Sequence, residues 1–355
     1  MRRILMTTDT VGGVWSFSLE LAEALGRRGI EVALAALGGL PTNAQRAEAR
    51  RAGARLYEST FKLEWMEEPW ADVEASGRWL LELEREIAPD LIHLNSYGHG
   101  ALPWVSPVVL TAHSCVTSWW AAVKGGAPPE KWNRYRQEVK RSLDAVDMVT
   151  APTYAMLSAL RAHYGDLPRT RVVLNGRSLA CFRRGPKEEF VLSAGRLWDE
   201  AKNIRALVEV APKIAWPVYV AGEAGLADLS GCRALGRLPA PALAEWYARA
   251  SIYALPACYE PFGLTALEAA LSGCALVLGD IPSLREVWSG AAVFVAPADR
   301  RGLQSALGSL IHDRPRRIEL AYRAYQRALE FGADRMALEY LSAYEEALGR
   351  KALCA

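Results

Sequence analysis

Two carboxylates, Glu260 and Glu268, stand with seven residues between them in YEPFGLTALEAALSG, residues 259–273. The stretch follows a strand-like apolar run, SIYALPA, and its second part has helical spacing. Glu260 then lies in a loop and Glu268 in the first turn of a helix. Backbone N–H groups of Gly263, Leu264 and Thr265 would sit at that helix N-terminus, where a bound anion is favoured. Glu268 could accept hydrogen bonds from hydroxyls, although acid near a helix N-terminus is also stabilising for its own sake. Glu260, beside Pro261, Phe262 and Leu264, is harder to explain as a solvated charge.

Three further groups suit the same kind of chemistry. In SAGRLWDEAKN, residues 193–203, Arg196 and Lys202 flank a strand-to-helix turn. A guanidinium fork and a compact ammonium both fit phosphate oxygens. In TVGGVWS, Gly12 and Gly13 let backbone approach a ligand ahead of a helix, though a plain tight turn explains them equally well. His113 closes the strand-like run VVLTAH, where an imidazole can donate to a hydroxyl or a developing charge. His93 and His99, in IHLNSYGHG with Asn95 and Tyr97, end a neighbouring strand and rank below it. The chain has no G-x-G-x-x-G fingerprint, no Walker A loop, no G-x-S-x-G elbow and no Asp-x-Asp. The last absence argues against a phosphosugar site built on two carboxylates around a cation.

The elements that must position these residues alternate. RRILMTT, IEVALAAL, DLIHLNS, PVVLTAHS, AVDMVTAP and RVVLNG read as strands, interleaved with helical patterns such as GVWSFSLELAEALGRRG and Gly77–Ala88. The pattern restarts after residue 187 with EFVLSAGRL, PVYVAGE, SIYALPA and CALVLGD. Alternation of this kind predicts parallel sheets covered on both faces, which bind ligands beyond the carboxyl ends of their strands. Two such domains would place a site in the cleft between them. Boundaries fall at 1–178 and 179–334, and the helical tail, from about 335 to 355, packs back on the first domain. Arg183, Arg184 and Lys187 read as a solvated linker.

Composition narrows the function classes. The 355 residues are 51% hydrophobic, with Lys+Arg 42 against Asp+Glu 40. That balance argues against nucleic acid as a partner. Six dispersed cysteines suggest reduced thiols rather than a disulfide framework or a zinc site. Without a signal-like start or a membrane-length apolar run, the expectation is a cytoplasmic protein, with peripheral membrane contact left open.

Taken in order, GGVWSFSLELAEALGRRGIEV, TAHS, LNG, SAGRLWDEAKN, LGRLPAPALAEWYARASIYALPACYEPFGLTALEAALSG and FVAPAD resemble the retaining glycosyltransferases of family 4, across essentially the whole chain. The resemblance implies the GT-B fold, two Rossmann-like domains, and a hexosyl transfer from a nucleotide-sugar, such as a UDP- or GDP-sugar, without metal or other cofactor. It implies that Arg196 and Lys202 hold the diphosphate, Glu268 the ribose and Glu260 the donor sugar. Backbone N–H groups of Phe262, Gly263, Leu264 and Thr265 would reach sugar and phosphate, with Arg237 and Leu238 against the base. Gly13 would close over the phosphates and His113 would sit near the reacting sugar. The first domain would take an acceptor, glycan, lipid or small molecule, through Asn95, Tyr97, Trp119 and Trp120. A non-catalytic nucleotide-sugar-binding protein and a sugar phosphorylase or epimerase remain the alternatives. The chain departs from the family where Pro is common: Leu174 precedes Asn-Gly, followed by Arg177 and Ser178, and Cys274–Ala275 follow the Glu-x7-Glu helix.

Overall fold

The computed structural model describes residues 1–167, 169–225 and 228–354. They form two compact units: residues 1–121, 126–176 and 333–355, and residues 122–125 and 177–332. The main connections therefore run through 176–177 and 332–333.

Among the described residues, the first unit holds a seven-stranded parallel sheet in the order β3-β2-β1-β4-β5-β6-β7. Its strands are β1 Arg3–Asp9, β2 Glu31–Leu37, β3 Arg55–Tyr57, β4 Leu91–Leu94, β5 Val108–Thr111, β6 Met148–Ala151 and β7 Thr170–Val172. The central strands are buried along nearly their whole length and mostly apolar, because helices cover both faces and leave no solvated side to encode. Helices α1 Gly13–Gly26, α2 Asn43–Arg51, α3 Trp70–Ile87, α4 Val116–Val123, α5 Asn133–Ala145 and α6 Tyr154–Tyr164 connect them. Helix α3 starts at Trp70, not at Gly77 as the periodicity suggests. Its first turns add a single buried apolar residue, Val73, too little to register as a period.

The second unit holds a six-stranded parallel sheet in the order β10-β9-β8-β11-β12-β13. Its strands are β8 Glu188–Ala194, β9 Val218–Ala221, β10 Arg233–Gly236, β11 Ala250–Leu255, β12 Ala275–Gly279 and β13 Val293–Val295. Helices α7 Ile204–Val210, α8 Ala240–Arg249, α9 Leu264–Leu271, α10 Pro282–Trp288, α11 Arg300–His312 and α12 Arg314–Ala328 complete it. The edge strands β3 and β10 escape the sequence reading: both are short and their residues are exposed or half-buried, so neither carries a hydrophobic signature.

The last helix, α13 Ala333–Cys354, belongs to the first unit. Met336, Ala337, Tyr340, Ala343, Tyr344 and Ala347 form one helical face, each no more than 2% exposed. Met336, Tyr340 and Tyr344 join Phe17, Leu21 and Leu25 of α1 in the core. Each large apolar side chain so buried contributes about 1.5–3 kcal/mol.

The basic stretch before β8 is not wholly solvated. Arg183 pairs with Glu245 in the open, but Lys187 turns inward. Its ammonium donates to the carbonyls of Tyr247 (3.1 Å) and Ser272 (2.7 Å), closing the end of α9. Cys274, where the family favours Pro, is wholly buried, and its thiol reaches the carbonyls of Tyr247 and Ala250.

Candidate active site

In both sheets the strand order reverses between two central strands, β1/β4 and β8/β11, and the crevice at their carboxyl ends is where such sheets bind ligands. The chemistry-bearing residues gather at those two places.

In the second unit, β8 runs into Gly195 and Arg196, and β11 into the loop holding Glu260. The two loops are tied together. Cys258 donates its N–H to the Ala201 carbonyl at 2.8 Å, and the Asn203 amide donates to the Pro256 carbonyl at 2.8 Å. This brings Lys202 Nζ to 2.5 Å from Glu260 Oε2. The other oxygen of Glu260 accepts the Gly263 N–H at 3.0 Å. Gly263 has φ +91°, a left-handed conformation that suits glycine at this sharp entry into α9. Its N–H is therefore engaged by Glu260 rather than presented to a ligand, which corrects the expectation for that position. Arg196 pairs with Asp199 at 3.1 Å, its guanidinium near the Trp198 ring, and 39% of its side chain stays accessible. A cationic pair, a carboxylate and a helix start thus share one crevice.

Glu268 lies one turn further along α9 than the sequence suggests, and it is buried. Burial pushes its carboxyl pKa up, while the Arg177 guanidinium, 3.1 Å away, and Tyr247 pull it back. Thr265 accepts the Tyr253 hydroxyl at 2.7 Å. The Phe262 ring is core, edge-on to Phe331, so only its backbone is available to a ligand. Beside this region opens a cavity of about 450 Å³ lined by Gly222, Glu223, Ala224, Leu229, Ala234, Gly236 and Arg237. Arg237 lines it and Leu238 does not. A Cβ on Gly222 would fall 1.8 Å from the Gly195 carbonyl oxygen, so glycine is required where these two loops touch.

The first unit builds its crevice from a turn-bracing carboxylate, an amide and a neutral imidazole. Asp9 ends β1 and accepts the N–H groups of Val11 and Gly12, each at 3.0 Å, which fixes the turn that leads into Gly13. This brace was not singled out in the sequence, although an Asp at the end of a strand, three residues ahead of Gly12-Gly13, is a local signal for such a turn. Asn95, just beyond β4, donates its amide to the Thr7 carbonyl at 2.7 Å. That bond directs the amide oxygen to His113 Nε2, also 2.7 Å away, which must then carry the proton. Burial holds the His113 pKa down at about 3, so the ring is neutral. Phe17 packs edge-on against it at 4.4 Å.

Other positions named from sequence divide. His93 is core: it bonds Tyr344 and Thr111, each at 2.7 Å, and joins β4 and β5 to α13. His99 bonds Ser76 at 2.9 Å beneath the surface. The Tyr97 ring is buried, and its backbone N–H donates to Glu64 at 2.9 Å. Glu64, between β3 and α3, is a buried acid whose pKa burial raises. Trp119 and Trp120 are half-buried on α4, their rings 5.9 Å apart.

The two doubly wound parallel sheets, each with its polar residues at the strand-order reversal, define the GT-B class of glycosyltransferases. Residues 11–180 match Glycosyltransferase Family 4 and residues 188–313 match Glycosyl transferases group 1. The chain belongs to glycosyltransferase family 4 and is a glycosyltransferase. It is 28% identical to a D-inositol 3-phosphate glycosyltransferase of Gordonia bronchialis, over 96% of this chain and 85% of that one. It is also 28% identical to a glycogen synthase of Mycobacterium tuberculosis, over 66% of this chain and 63% of that one. Among solved structures, sucrose-phosphate synthase of Thermosynechococcus elongatus matches 99% of this chain and 100% of its own, with TM-score 0.83 and 18% identity. Anabaena HepE in complex with UDP-glucose matches 96% and 100%, with TM-score 0.77 and 17% identity. Among the described residues, no helix is long and apolar enough to cross a membrane.

Proposed function

We propose that this glycosyltransferase moves a sugar from a nucleoside-diphosphate sugar to an acceptor hydroxyl, with retention at the anomeric carbon and without a metal ion. The observation that carries this reading is the gathering of Arg196, Lys202, Glu260 and the start of α9 at the strand-order reversal of the second sheet. Arg196 and Lys202 supply the positive charge that stabilises the negative charge a leaving nucleoside diphosphate develops as its glycosidic bond breaks. The Anabaena neighbour bound to UDP-glucose makes a UDP-sugar the first donor to try.

On this reading Glu268 accepts from the ribose hydroxyls and the cavity beside Arg237 takes the base. Lys202 moves from Glu260 toward phosphate when donor binds, which releases Glu260 to the sugar hydroxyls. The acceptor oxygen attacks from the face the phosphate leaves, and a phosphate oxygen takes its proton. Glu260 is then a sugar-binding carboxylate rather than a nucleophile, since the two carboxylates do not flank one bond. The first unit takes the acceptor. His113, neutral and with its Nε2–H held by Asn95, offers Nδ1 as an acceptor to a hydroxyl, and Trp119 and Trp120 offer apolar faces to the acceptor.

The test is a panel of UDP-, GDP- and ADP-sugars, read first by thermal shift, because a ligand that binds the native state raises its stability. Transfer by the best donor is then followed by proton NMR, with and without a chelator. The expected outcome is a product with the donor's anomeric configuration and a rate the chelator leaves unchanged. An inverted product would overturn retention, and loss of activity with chelator, restored by a divalent cation, would overturn metal independence.

A further inference from the structure

Arg177 departs from the family's usual linker sequence, and the fold gives it two attachments at once. Its backbone N–H donates to the Phe331 carbonyl at 3.0 Å, and its backbone bridges Gly332 in parallel register. Both segments that lead out of the second unit are thereby joined at one residue. Its side chain turns into the same unit, near the Phe182 ring, and brings Nε to 3.1 Å from Glu268 Oε1. Both side chains of the pair are only 11% exposed.

We infer that Arg177 is a positioning residue for donor binding: its guanidinium keeps Glu268 an ionised, pure hydrogen-bond acceptor, oriented for the vicinal hydroxyls of the donor ribose. The inference rests on the proposed ribose role of Glu268. A carboxyl buried among Tyr247 of α8 and Tyr253 of β11 is pushed toward its neutral form by burial, and Arg177, 3.1 Å away, is the cation that opposes this, so removing it shifts the balance further toward the neutral acid. A neutral acid must present a proton on one oxygen, and it then accepts poorly from two neighbouring hydroxyls. Arginine suits the task because it stays protonated even when buried. Breaking the pair leaves a buried carboxylate uncompensated, which drives it to take up a proton rather than remain charged.

The experiment compares UDP with 2′-deoxy-UDP by calorimetry from pH 6 to 9, in wild type, Arg177→Met, Arg177→Lys and Glu268→Gln. Wild type is expected to prefer the ribonucleotide about tenfold or more, the size of a hydrogen bond to a charged group, with little change across the pH range. Arg177→Met is expected to lose that preference at pH 6–7 and regain part of it as pH rises and Glu268 ionises. Arg177→Lys is expected to keep most of it. A ribonucleotide preference in Arg177→Met that matches wild type and stays flat with pH overturns the inference. Should Arg177→Met fail to fold, Arg177→Gln replaces it under the same criteria. If wild type itself shows no ribonucleotide preference, or Glu268→Gln retains it in full, the ribose role of Glu268 fails, and the inference with it.

Discussion

The two units share one topology and solve different electrostatic problems with it. In the second, the crevice at the strand-order reversal is charged: Arg196 with Asp199, Lys202 with Glu260, and Arg177 with Glu268 behind them. In the first, the equivalent crevice holds a neutral imidazole oriented by an amide, above a core knotted by His93, Thr111 and Tyr344. The same doubly wound sheet thus carries a cation-bearing crevice in one copy and an amide–imidazole pair in the other. Local residue choice sets the chemistry, and the sheet sets only where it happens.

That contrast can be broken by mutation. The largest effect is expected from removing the cations of the charged half. Arg196→Ala with Lys202→Ala should weaken UDP binding by about 10²–10⁴-fold, from two charge-assisted bonds of about 1.5–3 kcal/mol each. Calorimetric affinity within threefold of wild type would show that these charges do not hold the diphosphate. Glu260→Gln comes next: it keeps an acceptor for Gly263 but loses the charge. Turnover should fall by about 10²-fold with UDP affinity nearly intact, the pattern of an interaction made in the transition state. A fully active variant would remove Glu260 from the donor sugar.

The first unit should be the acid-sensitive one. Burial depresses the His93 pKa to about 3 and that of His99 to about 4. In the unfolded chain both titrate near 6.5. Below that pH the unfolded state binds protons that the folded state refuses, so stability is complete above about 6.5 and is lost as pH falls toward 4. At pH 5.5 the loss is about 1.4 kcal/mol for each ring at most. Thermal unfolding followed from pH 7.5 to 5 should show this, and a melting temperature that is flat across the range would contradict it. The smallest effect is expected from Tyr344→Phe, which strips His93 of one partner in a buried site. It should cost about 1–3 kcal/mol of stability while UDP affinity stays unchanged. A linked fall in UDP affinity would show that the two halves are not separable.

The placement of the candidate residues was legible because they sit where strands end. Arg196, Lys202, Glu260 and His113 follow apolar runs, and a run followed by a polar residue is a local signal. The roles of their neighbours were less legible. Gly263 looked like a donor to ligand until Glu260 was found to accept its N–H. Tyr97 looked available until its ring proved buried, and Lys187 looked solvated until it was found against the end of α9. Those outcomes depend on which way a side chain turns, and spacing does not encode that. The edge strands β3 and β10 were missed because strands lacking a buried face carry no period.

The sequence by itself determined two rounds of β/α alternation, their split near residue 177, and the charged residues poised after β8 and β11. These follow from hydrophobic period and residue type, which act over a few neighbours. Only the tertiary structure decided that α13 lies against α1, that His93 bonds Tyr344, and that Arg177 faces Glu268. Each of those pairs joins residues far apart in the chain, and their meeting depends on strand order and on which groups burial forces to find a partner.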